Sequence, residues 1–158
     1  CNNLYANEKI VFIDINYIFN NSDAGKDLQA QIFSKNDNLQ SQIKNYNLEI
    51  EDKKKKILSK KNVLTPEQYN LEVKNLDNEI KKVNETISQK RKELVTFKTL
   101  VENKFSININ KIIEEFSEKN SIDIILNKEN LLMAKKDLDI TEKIFILFNE
   151  KIKKINIK

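Results

Sequence analysis

Along the middle of the chain the apolar positions fall into two narrow stripes that match one another when the chain is folded back at Val63. The first reads Ile32, Leu39, Ile43, Tyr46, Ile50, Ile57, and the second Tyr69, Val73, Leu76, Ile80, Val83, Ile87, Leu94, Phe97, Val101. From Tyr69 to Ile87 the steps alternate four and three, the heptad spacing of a helix that buries one stripe against another helix. Pairing positions whose numbers sum to 126 sets Ile57 against Tyr69, Ile50 against Leu76, Tyr46 against Ile80, Ile43 against Val83, Leu39 against Ile87 and Ile32 against Leu94. Each layer is apolar on both sides and opposes an a position to a d position, as antiparallel helices require. The pattern predicts a long antiparallel coiled-coil hairpin with its apex at Val63. A polar layer, Asn36 against Lys90, lies between the Leu39–Ile87 and Ile32–Leu94 layers.

The turn has its own chemistry. In Asn62-Val63-Leu64-Thr65-Pro66-Glu67-Gln68, Thr65 is placed as N-cap of the second arm. Pro66 takes the first helical position, where its missing amide costs nothing, and Gln68 closes a capping box. The single Pro of the chain thus sits where the hairpin needs a break.

Outside the hairpin the periodicity changes. Residues 9–15 are short and apolar on both faces, which predicts a buried strand. Residues 16–21 form a helical turn or two, and Ser22 or Asp23 caps a first arm that runs to about Asn62. Beyond Phe97 the seam steps become four, four and four through Val101, Phe105 and Ile109. With Leu100, Ile107, Ile112, Ile113 and Phe116 the apolar positions then cover most of the helix, as in a helix buried on all sides. Asn120 is placed to take a left-handed cap. Ile122–Asn127 and Leu131–Ala134 flank Lys128-Glu129-Asn130 and predict a β-hairpin. A last amphipathic helix begins at Asp139-Ile140-Thr141, with Ile144, Phe145, Leu147, Phe148 and Ile152 inside. Three or four short strands and two helical pieces of this apolarity exceed what about 70 residues bury alone, so the bodies of several copies are expected to associate.

Composition narrows the chemistry. The 158 residues include no His and one Cys, Cys1. That excludes most metal sites, Cys–His nucleophiles and the commonest general base. No enzyme activity, metal or cofactor is expected. Basic residues outnumber acidic ones 28 to 24, but between Lys44 and Lys98 there are 14 basic and 9 acidic side chains, so the arms are the positive part of the molecule. Lys53, Lys54, Lys55, Lys56, Lys60 and Lys61 form a basic tip. Basic arms with one Arg and no aromatic stacking motif make a nucleic-acid partner unexpected. No run approaches the roughly 18 apolar residues of a membrane span. Cys1 is placed either as a lipidated first residue or within the tail of a secretory signal ending near Leu4-Tyr5-Ala6. Both imply export. Phe33, Leu48, Leu58, Leu71 and Val95 lie off the seam, where a bound polypeptide would touch them.

Asp14-Ile15, Ile18-Phe19 and Ser22-Asp23-Ala24-Gly25-Lys26, then a long charged hairpin, then Ile122-Asp123-Ile124-Ile125-Leu126-Asn127-Lys128 and Asp139-Ile140-Thr141, resemble the Skp family, also called OmpH-like. The resemblance runs from Lys9 to Ile155. It implies a mainly α protein in which a helical-hairpin tentacle projects from a small α+β oligomerisation body. It also implies an ATP-independent periplasmic holdase, a homotrimer enclosing unfolded outer-membrane proteins, with an anionic membrane surface as a further partner. The organisation expected is 1–8 as signal remnant or lipid-anchored linker, 9–22 and 105–158 as body, and 23–104 as tentacle. Val11, Ile13, Phe105, Ile109, Ile112, Phe116, Ile124 and Leu126 are the expected body residues. The rival expectation is a lipid-anchored coiled-coil spacer of the cell envelope, which would have no need of buried strands at both ends of the hairpin.

Overall fold

The structure, a computed structural model, describes residues 8–157. The expectations for Cys1 and Leu4-Tyr5-Ala6 lie outside the described residues. The order of elements is β1 (Ile10–Ile13), α1 (Ile15–Asn21), α2 (Asp23–Ser59), α3 (Pro66–Asn120), β2 (Ile124–Asn127) and α4 (Thr141–Lys151), with short 3-10 turns at Lys128–Asn130 and Lys136–Leu138. Two compact units are present, residues 32–98 and the remainder, and α2 and α3 contribute to both.

The unit of residues 32–98 is the coiled-coil hairpin. Its seam positions are buried or half-buried, whereas Phe33, Leu48, Leu58, Leu71 and Val95 are exposed. At the apex Thr65 and Gln68 form the reciprocal box: the Gln68 amide donates to Thr65 Oγ1 at 3.3 Å and the Thr65 amide donates to Gln68 Oε1 at 3.2 Å. Pro66 has no amide to satisfy, and two of the three that remain at the start of α3 are met by this one motif. Across the arms Lys53 pairs with Glu79, Lys60 with Glu72 at 2.9 Å, and Lys35 lies over the Phe97 ring at 4.7 Å. The residue numbers of each pair sum to 132 rather than 126. Side chains on both helices lean toward their own N-termini, so chains on α2 lean away from the apex and chains on α3 toward it. A lean of roughly 4.5 Å, or three residues of rise, on each side spans the difference. A backbone register of 132 would instead set Ile50 against Lys82 and Ile43 against Gln89, and both of those are exposed.

The second unit closes around β1, which pairs in parallel with β2 in the register Ile10 to Ile124 and Ile13 to Asn127. The other edge of β1 bridges to Asp139, and the Ile140 amide donates to the Phe12 carbonyl at 3.0 Å. This overturns the expected β-hairpin. The residues after β2 turn away through a 3-10 turn, Leu131–Ala134 is not a strand, and Leu132 and Met133 stand 107% and 91% exposed. A short apolar run reads alike whether it is a strand or an exposed loop. The non-local partner of β1 cannot be read from local pattern, and the described sheet has two strands rather than three or four.

The Asp-Ile-Thr segment is the latch. Asp139 Oδ1 accepts from the Thr141 amide at 2.9 Å, and Thr141 Oγ1 accepts from the Asp14 amide at 2.9 Å. Ile140 between them is buried. Asp14 in turn caps α1, accepting from the Tyr17 amide at 2.8 Å. The Ser-Asp-Ala-Gly-Lys corner joins α1 to α2. Ser22 Oγ accepts from the Gly25 amide at 3.1 Å, while Ala24 and Leu28 are fully buried. A Cβ on Gly25 would stand 1.9 Å from the Phe19 carbonyl oxygen, so any side chain there would force the two backbones apart. That oxygen accepts from Gln29 Nε2 at 3.1 Å. Because Ala24 and Leu28 pack inward, the unit takes in the chain up to residue 31 and from residue 99 onward.

Phe105 links the aromatic core, with ring centroids 4.9 Å from Phe19 and 5.2 Å from Phe148. At the end of α3 the left-handed residue is Ser121, at φ 49°, not Asn120. The Ile122 amide donates to the Ser117 carbonyl at 3.1 Å and the Ser121 amide to Glu118 at 3.4 Å, a Schellman closure. Asn120 is held inside the helix because its side-chain amide donates to the Phe116 carbonyl at 2.8 Å.

Candidate functional site

The exposed apolar side chains of the hairpin are placed by the heptad phase. With the seam at a and d, Phe33, Leu48 and Leu58 fall at e, f and b of α2, and Leu71 and Val95 at f and b of α3, all outside the buried stripe. Each is more than half exposed. Helical rise separates Phe33 from Leu48 by about 22 Å and Leu71 from Val95 by about 36 Å. They form no single pocket. What they offer is a series of separate apolar footholds on an otherwise charged and amide-rich surface.

Of the six tip lysines, Lys53 and Lys60 are engaged with Glu79 and Glu72 across the arms. Lys54, Lys55, Lys56 and Lys61 form no ion pair among the described residues. The four consecutive lysines are spaced by about 100° each around α2, so they ring the helix rather than share one face. A groove of about 200 Å³ lies beside them, lined by Lys53, Lys56, Ile57, Glu72, Leu76 and Glu79 among others. A second, of about 310 Å³, opens where Lys90 and Leu94 meet Asn38, Leu39 and Gln42. It adjoins the polar layer read from the sequence, and Asn36 and Lys90 are both half-buried.

The expected body residues divide into two groups. Val11, Ile13, Phe105, Ile109 and Ile112 are buried within the single chain, and Phe116 is half-buried. The stretch of α3 around Ile109 therefore finds its cover inside one copy. Ile124 and Leu126, at 41% and 39%, are exposed together with Ile10 at 39%. Ile10 and Ile124 are direct partners in the ladder, and Leu126 follows Ile124 on the same face. An apolar face of a parallel pair is ordinarily covered.

A groove of about 300 Å³ in this unit is lined by Asp14, Tyr17, Lys128, Lys136, Asp139, Thr141 and Glu142. Asp14 already caps α1 and pairs with Lys128 at 3.2 Å, and Asp139 already accepts from the Thr141 amide. Elsewhere in the unit Lys151 holds the Glu115 carboxyl below its ordinary pKa, first by its hydrogen bond and then by its charge. Among the described residues no helix is long and apolar enough to cross a membrane. Sequence reasoning passed over the exposure of Leu132 and Met133 and the apolar apex residue Val63, 84% exposed. The signal for the first was the charged flanks Lys128-Glu129 and Lys135-Lys136-Asp137, which leave a short apolar run little room to be buried.

A search of curated proteins finds no match. Among solved structures the chain is similar to a proposed OmpH-like outer membrane chaperone from Caulobacter crescentus CB15. The TM-score is 0.86 at 13% identity, over 94% of this chain and 88% of that one. At that identity the likeness speaks for the fold: long helices with a small strand-bearing unit. The profile of the family described as outer membrane protein (OmpH-like) matches residues 9–146, and the chain belongs to that family.

Proposed function

We propose that this chain is an ATP-independent holdase of the periplasm that keeps unfolded outer-membrane proteins from aggregating. The observation that carries the reading is the set of exposed apolar side chains, Phe33, Leu48, Leu58, Leu71 and Val95, that lie outside the buried seam of the hairpin. A holdase works by many weak contacts to an extended chain rather than by one pocket. Footholds separated by tens of ångströms on a positive surface suit that task, with charge speeding capture and apolar contact slowing escape. The OmpH-like family and the fold shared with a proposed chaperone support the same reading.

Residues 9–22 and 105–158 act in this proposal as the body through which three copies associate, and residues 23–104 as the tentacle. The uncovered apolar face of Ile10, Ile124 and Leu126 supports association. Dilution of a urea-unfolded outer-membrane β-barrel into buffer tests the function. Light scattering should fall to baseline at about one oligomer per barrel, with or without ATP, and the mass of the assembly by multi-angle scattering should be that of three chains. Unchanged aggregation at a molar excess of folded protein would leave the envelope spacer as the better account.

A further inference from the structure

The polar layer of the hairpin leaves a gap. Between the Leu39–Ile87 and Ile32–Leu94 layers the seam offers only Asn36 and Lys90, which do not fill the space as an apolar pair would. The groove of about 310 Å³ opens there, at the small end of the range that ligands occupy. Its floor is apolar, with Leu39 buried and Leu94 half-buried, and its α2 wall is a ladder of Ser34, Asn38 and Gln42, four residues apart. Lys90 and Glu93 stand on the α3 side. None of the apolar footholds lines it.

We propose that this groove is a main-chain subsite, which holds about four residues of an extended polypeptide by hydrogen bonds to the backbone, whatever the side chains. The inference rests on the holdase reading for the source of that polypeptide. The spacing of the ladder suits a backbone. Side chains four apart on a helix repeat every 6 Å or so, about the 6.7 Å at which an extended chain turns its peptide groups to the same side. From Ser34 to Gln42 is about 12 Å, so the two stay in step over about four residues of the bound chain. The hydrogen-bonding capacity suits it too. The Gln42 amide donates to Asn38 Oδ1, which leaves Asn38 Nδ2 as a donor and Gln42 Oε1 as an acceptor, each with no other partner among the described residues. Two amides joined by one bond thus present one donor and one acceptor, the complement of the C=O and N–H along the edge of a peptide chain. The lining favours neither an ion nor a sugar. Lys35 lies over the Phe97 ring at 4.7 Å, Lys90 and Glu93 are opposite in sign, and no aromatic side chain is present for a sugar ring to stack on. Main-chain bonds of this kind give affinity without sequence preference, which suits a holder of unfolded chains.

The test uses tetraglycine capped with acetyl and dimethylamide groups, a probe that is backbone alone and has nothing to place on the footholds. Its counterpart is tetrasarcosine with the same caps, in which every residue amide carries a methyl group in place of its hydrogen. Each is titrated into the full chain, and the side-chain amide signals of Asn38 and Gln42 and the backbone signals of Leu39 and Leu94 are followed by proton–nitrogen NMR. Tetraglycine should move them saturably in the millimolar range, and tetrasarcosine should bind about five-fold more weakly for each hydrogen bond it cannot make. Asn38→Ala with Gln42→Ala should abolish the difference between the probes. Gln40→Ala with Asn47→Ala, exposed amides of the same helix that do not line the groove, should keep it. All variants are compared at matched helical circular dichroism. Signals unmoved by tetraglycine, or moved equally by both probes in the parent, would overturn the proposal. A shift by maltotetraose and not by tetraglycine would overturn it as well and assign the groove to glycans. Scattering from the unfolded barrel is read separately. Aggregation suppressed while tetraglycine leaves the groove untouched sinks the subsite and spares the holdase reading, whereas tetraglycine bound while the barrel aggregates unchanged supports the subsite and removes the holdase reading.

Discussion

Gly25→Ala sets two well-measured effects against each other. Gly25 lies in the first turn of α2, where replacing Gly by Ala in an unconstrained helix gains about 1 kcal/mol. Here the new Cβ would stand 1.9 Å from the Phe19 carbonyl oxygen and 2.8 Å from its carbon, both backbone atoms. Relief requires α1 and α2 to part by about 1 Å, since heavy atoms do not pack much inside 3 Å. Parting strains the 3.1 Å bond from Gln29 Nε2 to that same oxygen, worth about 1 kcal/mol, and disturbs the buried Ile18, Ala24 and Leu28. Overpacking of this kind costs about 1–3 kcal/mol. The sum is a net destabilisation of about 1–3 kcal/mol. Urea unfolding at fixed protein concentration measures it, and hydrogen exchange locates it, with faster exchange expected at Ser22, Gly25 and Lys26 and unchanged exchange at residues 66–95. Lys26→Ala, one position on and exposed, should shift stability by less than about 0.5 kcal/mol. A Gly25→Ala chain as stable as the parent, with the corner amides equally protected, would show that helix propensity governs this position and the close approach does not.

Three further outcomes are expected. Replacing Asn36 and Lys90 together by Leu should raise stability by about 1–2 kcal/mol, because a half-buried polar layer gives way to an apolar one; a loss in thermal unfolding would mean that the backbone follows the 132 register, in which Lys90 faces Gln42 and Asn36 faces Thr96. Ser121→Gly should stabilise by about 0.5 kcal/mol, as relief of a left-handed non-glycine residue outweighs the added freedom of the unfolded chain, and no gain in urea midpoint would sink that account. Glu115 has a folded pKa below its ordinary value of 4.5, so its contribution is present above that value and is lost as pH falls through the folded pKa; Glu115→Gln should remove this small acid-side dependence, and an unchanged acid titration of stability would refute it.

The hairpin was legible because its information is local. Heptad steps, one Pro and the Thr65–Gln68 box each act over a few residues, and the structure keeps all three. The strand-bearing unit was legible only in pieces. Residues 9–15 announced a strand by composition, but nothing near them says that the neighbours are Ile124–Asn127 on one edge and Asp139 on the other. The reason for Gly25 is likewise tertiary, since it depends on where the Phe19 carbonyl arrives. The five footholds could be found as residues that the seam does not use.

The pairing of β1 with β2 joins residues 114 positions apart, and the apex lies between them. The strand-bearing unit is therefore assembled from both sides of Val63. The earlier side gives β1, α1 and the start of α2, and the later side gives the end of α3, β2 and α4. The Asp14 amide to Thr141 Oγ1 and the Asp23 amide to Asn149 Oδ1 both cross this division. A protease that cuts the exposed apex turn would leave two polypeptides fastened by a shared sheet and a shared core, with each arm still lying on its mate. The chain can thus be broken at an exposed turn without coming apart, and two separately made halves, 1–62 and 63–158, have what they need to find each other and rebuild the whole.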